Sequence, residues 1–169
     1  ALYVGIYDDT LAFSLGRCDE LTFEKINFLV ECGASPSEIA NKLLRRDSLA
    51  KYRIIPKVLD SLELYKEGEV ASIIAKEEWF KQTGAHNRDC EDALDMIMSI
   101  AVVRIAFFVR IVNGVSRVSL RSKGKIDVSK IAAEFAGGGH FNASGCTIET
   151  LDVEEAKEIV LKEIFEIYK

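Results

Sequence analysis

The pattern of apolar and polar positions changes character once along the chain. Up to about Lys66 the apolar residues recur at helical spacing; beyond it, short β-branched runs alternate with helical segments. Leu2 to Ile6 reads as the end of a buried element that runs into Tyr7-Asp8-Asp9-Thr10. Leu21 to Gly33 predicts a helix with Thr22 as N-cap, Phe23, Ile26, Leu29 and Val30 on one face, and Gly33 just past its end. Ser35-Pro36-Ser37-Glu38 is a capping box with proline at the first helical position, and opens a second helix through Ile39, Ala40, Leu43 and Leu44. That helix closes on Arg45-Arg46, read as solvated cations at a helix C-terminus, with a phosphate contact as the alternative. Ser48 to Lys66 forms a third helical stretch in which Pro56 predicts a kink or a restart.

The second pattern begins with a strand over 69–75, a helix from about Lys76 to Gln82 and a loop over 83–88. His86 reads as a solvent-facing residue of that loop. A helix follows from Asp89 to Ser99, where Met96 and Met98 read as packing residues. Val102 to Val112 is a strand dense in β-branched and aromatic residues, and Asn113-Gly114 predicts a tight hairpin into Val115 to Ser122. On that partner strand Val118 and Leu120 point one way, Ser119 and Arg121 the other. A short helix, a strand over 146–149 and a last helix capped by Asp152 complete the chain. The last helix presents Val153, Ala156, Ile159, Val160, Glu163 and Ile164. These elements predict an α/β (α+β) chain: a helical segment over 1–66, then a mixed sheet with flanking helices over 67–169.

Composition narrows the function classes. The 169 residues are 49% hydrophobic, enough to bury one core or two small ones. No apolar run approaches the roughly 20 residues that span a bilayer, and no basic-then-apolar leader opens the chain, so the expectation is a cytoplasmic protein with no membrane partner. Cys18, Cys32, Cys90 and Cys146 lie far apart and read as reduced, mostly packed thiols. A formal net charge of −5 argues against a long duplex partner, yet permits a short anionic ligand in one local pocket. The apolar start at Ala1, without an initiator Met, suggests a piece of a longer chain cut upstream.

The candidate chemistry lies between Arg121 and Gly145. Gly137, Gly138 and Gly139 are consecutive, and glycine is tolerated where the backbone enters φ > 0 or must lie against a ligand. Amides exposed in such a loop favour phosphate oxygens. Arg121 adds a planar fork of donors and His140 a ring that donates from either nitrogen. Taken alone, the run also fits a tight turn between helix and strand.

The pattern R-S-x-x-x-I-D-V-x-x-I-A-x-x-F-x-G-G-G-H-x-x-A-S-G, about 25 positions long, resembles the signature of the DHH-associated domain. That domain is the C-terminal half of the DHH phosphoesterase superfamily. The resemblance implies that Gly137, Gly138, Gly139 and His140 grip a substrate phosphate, with Arg121 and its neighbour Ser122 assisting. Ala136 stands where the family often has another glycine. Asp8-Asp9 fits a turn or a helix cap, but once the signature is granted, G-I-Y-D-D-T with Phe13 also resembles the last metal-binding motif of the DHH catalytic domain. Asp9 is then a metal ligand and Asp8 a spacer.

The resemblance further implies two divalent ions, usually manganese, in the complete enzyme. Its substrates would be short oligoribonucleotides or other short single strands, linear dinucleotides, or adenosine bisphosphate. The family's other metal motifs are absent from this sequence, so the expectation is a substrate-binding portion with no catalytic residue of its own, not holding the ions alone. A non-catalytic nucleotide-binding module and a tRNA-editing type of domain are the rival readings. A homodimer is an arrangement open to the chain.

Overall fold

In the computed structural model, residues 1–10, 12–13, 18–44 and 47–168 are described. The paired arginines Arg45 and Arg46 lie outside the described residues. The chain divides into two compact units, Ala1–Asp47 and Ser48–Lys169.

The first unit is helical: α1 (Leu2–Asp9), α2 (Glu20–Glu31) and α3 (Pro36–Leu44). Its centre is aromatic. Tyr3, buried, stacks on Tyr7, and Phe13 packs edge-on against both, 5.5 Å from the Tyr7 centroid. Thr10 makes this possible: its hydroxyl donates to Ile6 O at 2.6 Å and accepts from Phe13 N–H at 3.1 Å, folding the chain back over the helix end. The cap of α2 is Asp19, not Thr22. The Asp19 carboxylate accepts from both the Thr22 amide and its hydroxyl, at 2.9 and 2.7 Å, and the hydroxyl bond, with the amide bond behind it, lowers the Asp19 pKa.

The second unit is a six-stranded sheet of order β1-β2-β3-β4-β6-β5, built from β1 (Glu63–Tyr65), β2 (Val70–Ala75), β3 (Ile105–Val112), β4 (Val115–Ser122), β5 (Gly138–His140) and β6 (Ala143–Ile148). Only β2 and β3 run parallel. The crossover between them carries α5 (Glu77–Thr83) and α6 (Asp92–Met98). Each sheet face has its own core. On one, Ile105, Phe107, Leu120 and Cys146 pack with Val128 and Ile131 of α7 (Val128–Glu134) and Val160 and Ile164 of α8 (Val153–Ile167). On the other, Ala71, Ile73, Ala106 and Phe108 pack with α6 and with Ile54 and Val58 of α4 (Leu49–Asp60).

The compact unit extends back to Ser48, because α4 supplies two fully buried side chains to its core. Helix α4 runs through Pro56 as one helix and stops at Asp60. Ser61 turns the chain: its hydroxyl donates to Val58 O and accepts from the Ile74 amide, which frees Glu63–Tyr65 to pair with β2 as a strand. The stretch predicted as one helix from Asp89 to Ser99 is a 3₁₀ turn, Asn87–Cys90, followed by α6. Asn113-Gly114 has φ of 53° and 80°, the geometry of the predicted tight hairpin. His86 is exposed, as expected, and Asp152 caps α8. Cys90 and Cys146 are buried, and burial pushes both thiols up to about 11. No helix among the described residues is long and apolar enough to cross a membrane.

One buried charge holds β1 to α8. Lys157 sits on the buried face of its helix and donates to Glu63 and Glu154, each at 2.9 Å. Burial alone would push its pKa down; the two carboxylates reverse that. Glu63, bonded to Tyr65 and Lys157, and Glu154, bonded to Lys157, are both held below the usual carboxylate value.

Three predictions follow from this packing. A chain starting at Ser48 should unfold in one cooperative urea transition, whereas one starting at Glu67, without Ile54 and Val58, should lose most of its stability. The two depressed carboxylates contribute stability that is present above their unfolded pKa, about 4.5, and lost as pH falls below it. Lys157→Met should therefore flatten the acid limb of the stability curve while changing stability at pH 7 by no more than about 1 kcal/mol, since the cost of burying the ammonium is removed with it and both carboxylates, about half exposed, are left to water. Ala136, at φ 52°, closes α7 in a Schellman turn: the Gly137 amide bonds to Ala132 O and the Ala136 amide to Ala133 O. Glycine fits that backbone without strain, so Ala136→Gly should raise stability by about 0.5–1 kcal/mol, measured as a higher urea midpoint.

Candidate phosphate-binding face

The glycine run is not a loop. Gly138–His140 is the edge strand β5, and Phe141-Asn142 turns it back into β6, which begins at Ala143, ahead of the predicted start at Cys146. Only Gly139 of the three glycines has positive φ, 147°. The run is glycine because the strands lie too close for side chains. A Cβ on Gly137 would stand 2.3 Å from Gly145 O, and one on Gly139 would stand 2.6 Å from Ala143 O. Gly138 differs: a Cβ there meets nothing within 4 Å. The expected cradle of loop amides is therefore replaced by the outward backbone groups of an edge strand.

Strand pairing then decides which side chains meet. Directly opposed residues share a face of the sheet. Arg121 pairs with Ala143, which pairs with His140, so these three form one row across β4, β6 and β5. The next row is Ser119, Gly145 and Gly138. The row after it is Arg117 and Thr147, where the guanidinium donates to the threonine hydroxyl at 3.3 Å. This face stays accessible: Arg117, Gly138 and His140 are exposed, and Ser119, Arg121, Ala143 and Gly145 partly so. Arg121 and Ser119 share it, as the period-two reading predicts.

Arg121 is only lightly engaged. Its Nη1 donates to Leu120 O at 3.1 Å, and its Nε stands 3.8 Å from the Asp95 carboxylate, itself largely exposed. Arg110, on β3, lies over the Phe108 ring at 5.0 Å and pairs with Glu91 at 3.3 Å; its buried Nε has no hydrogen-bond partner among the described residues.

Ser122 is not brought to this face. It neighbours Arg121 in sequence and so points to the opposite side, where its hydroxyl donates to Ile126 O at 2.6 Å and accepts from Asn142 Nδ2 at 2.9 Å. Ser122 therefore anchors the β5–β6 turn, and Asn142 is the residue through which it does so. Asp127 in the same motif is the N-cap of α7, accepting from the Ser129 amide at 3.0 Å. Asp9 belongs to the first unit, exposed in the last turn of α1 beside Asp8. Carboxylates at that end of a helix oppose its dipole. Among the described residues no group of three His, Cys, Asp or Glu side chains could hold a metal ion.

Comparison with known proteins identifies the family and the fold. The chain is 26% identical over 162 residues to a bifunctional oligoribonuclease and PAP phosphatase of Thermus thermophilus, covering 96% of this chain and 48% of that protein. It is 26% identical over 170 residues to a cyclic-di-AMP phosphodiesterase of Listeria monocytogenes, covering 100% of this chain and 25% of that one. The chain thus spans half or less of these relatives. The crystal structure of an exopolyphosphatase-related protein from Bacteroides fragilis superposes with a TM-score of 0.87 at 28% identity, over 95% of this chain and 47% of that one. Residues 65–169 match the family model of the DHHA1 domain, and the chain belongs to that family.

Proposed function

We propose that this chain is the phosphate-holding part of a phosphoesterase acting on short oligoribonucleotides, linear dinucleotides or adenosine bisphosphate. The observation that carries the reading is the single row Arg121, Ala143, His140, which sets a guanidinium and an imidazole on one accessible face with a small residue between them. Two strand spacings, about 10 Å, separate their backbones. Long side chains leaning inward across that gap can close on one phosphate, and Gly138 and Gly145 leave the space in front of it free. The activities named for the two relatives support the substrate class. Bond cleavage falls outside the described residues; manganese would suit the oxygen and imidazole donors of such a site, with Asp9 as this chain's contribution.

The test is a titration of the chain with a nucleoside 5′-monophosphate and with the unphosphorylated nucleoside. The monophosphate should bind more tightly, and Arg121→Ala or His140→Ala should weaken it about tenfold to a hundredfold, the worth of a charge-assisted hydrogen bond. Arg121→Lys should recover little, because a point charge does not reproduce the planar fork. Gly138→Ala should fold normally and bind weakly, whereas Gly137→Ala and Gly139→Ala should be destabilised by about 1–3 kcal/mol through overpacking. Equal binding of nucleotide and nucleoside contradicts the reading. The chain alone, with manganese added, should release no mononucleotide from a linear dinucleotide.

A further inference from the structure

A cavity of about 380 Å³ opens beside Arg121, between the sheet and α6. The sheet contributes Phe108, Arg110, Ser119 and Arg121; the helix side contributes Glu91, Asp92 and Asp95. Two guanidiniums, and the Lys51 ammonium paired with Asp92, face three carboxylates, so the cavity has no excess positive charge to hold a second phosphate. A neutral, planar group with donors and acceptors along its edge suits such walls.

The carboxylates are not equivalent. Asp92 pairs with Lys51, and Glu91 pairs with Arg110 at 3.3 Å. Asp95 has only its distant partner, the Arg121 Nε at 3.8 Å, and its side chain is 75% exposed. Ser119, at the cavity wall, makes no hydrogen bond through its hydroxyl among the described residues. The cavity therefore offers one available acceptor pair and one available hydroxyl, next to the arginine of the phosphate row.

We propose that this cavity seats the base of the nucleotide whose phosphate lies between Arg121 and His140, and that Asp95 makes it prefer guanine. Among the common bases only guanine presents two adjacent parallel donors, N1–H and the exocyclic N2–H, which a carboxylate accepts together. Ser119 O–H then donates to guanine O6, and Arg121 stays with the phosphate. The charge asymmetry sets the direction of the ligand: phosphate toward β5, base toward α6. The proposal rests on the phosphate reading above, and the ligands below separate the two.

The chain is titrated with GMP, IMP, AMP, guanosine, inosine and ribose 5-phosphate, following amide shifts by NMR. IMP is the informative comparison, since it lacks only the N2 amine. GMP should bind about tenfold more tightly than IMP, the scale of a bidentate base contact. Asp95→Asn should remove that gap while leaving ribose 5-phosphate binding as tight as before or tighter. Equal affinities for GMP, IMP and ribose 5-phosphate would overturn the base cavity while leaving the phosphate site standing. A parallel change in all ligands on Asp95→Asn would also overturn it, because Asp95 would then act only by screening Arg121. If the phosphate reading alone is at fault, guanosine matches GMP, ribose 5-phosphate does not bind, and the Asp95-dependent preference for guanosine over inosine persists.

Discussion

The proposed phosphate-binding face depends on how closely β5 lies on β6. Two missing side chains permit it, at Gly137 and Gly139, where any Cβ would strike the backbone of Ala143 or Gly145. That approach fixes the register, and the register is what matters. A slip of one residue would carry His140 to the opposite face of the sheet, away from Arg121. The Ser122 and Asn142 hydrogen bonds lock the same hairpin from behind, with Asn142 also reaching Gly124 O at 3.3 Å. In the proposed site the glycines and the serine of the motif serve by position, while the arginine and the histidine would supply the chemistry.

The sheet divides its labour by face. One face is sealed by α7 and α8 along its length, and the other is covered by α4 and α6 over β2 and β3. Arg117, Ser119 and Arg121 continue that second face beyond the helices onto β4, with β6 and β5 alongside. Charge follows the same division. The arginines rise from the strands and the acids stand on the helix side, so an anion is favoured toward β5 and disfavoured against α6. In a chain with a net charge of −5, this local arrangement of cations matters more than the total.

Much of this could be read from the sequence wherever local chemistry decides. The Asn113-Gly114 hairpin, the alternation along β4, the Asp152 cap and the DHHA1 signature all depend on neighbouring residues. The failures occur where a competing contact or the strand geometry decides. Thr22 looked like a cap, but Asp19 three residues earlier captures both its amide and its hydroxyl. Glu63 to Tyr65 continued a helical pattern, yet pairing with β2 and the Ser61 turn make it a strand. Lys157 is buried although a lysine, because partners 94 and 3 residues away satisfy it. Ser122 stood beside Arg121 in the motif, and strand geometry sends it to the other face. The glycines read as a loop; φ > 0 holds at Gly139 alone of the three, and close strand packing is the reason at Gly137 and a further one at Gly139.

The central claim is that a phosphate binds on the β4–β6–β5 face between Arg121 and His140. The most direct measurement is a map of amide, guanidinium and imidazole chemical shifts in the chain as a phosphorylated ligand is added to saturation. The account predicts that the largest changes fall on the His140 ring, on the Gly138 and Gly145 amides and on the Arg121 guanidinium, with the opposite face at Leu120 and Ser122 little affected. Saturable changes centred elsewhere, with His140 and Arg121 unmoved, would contradict it.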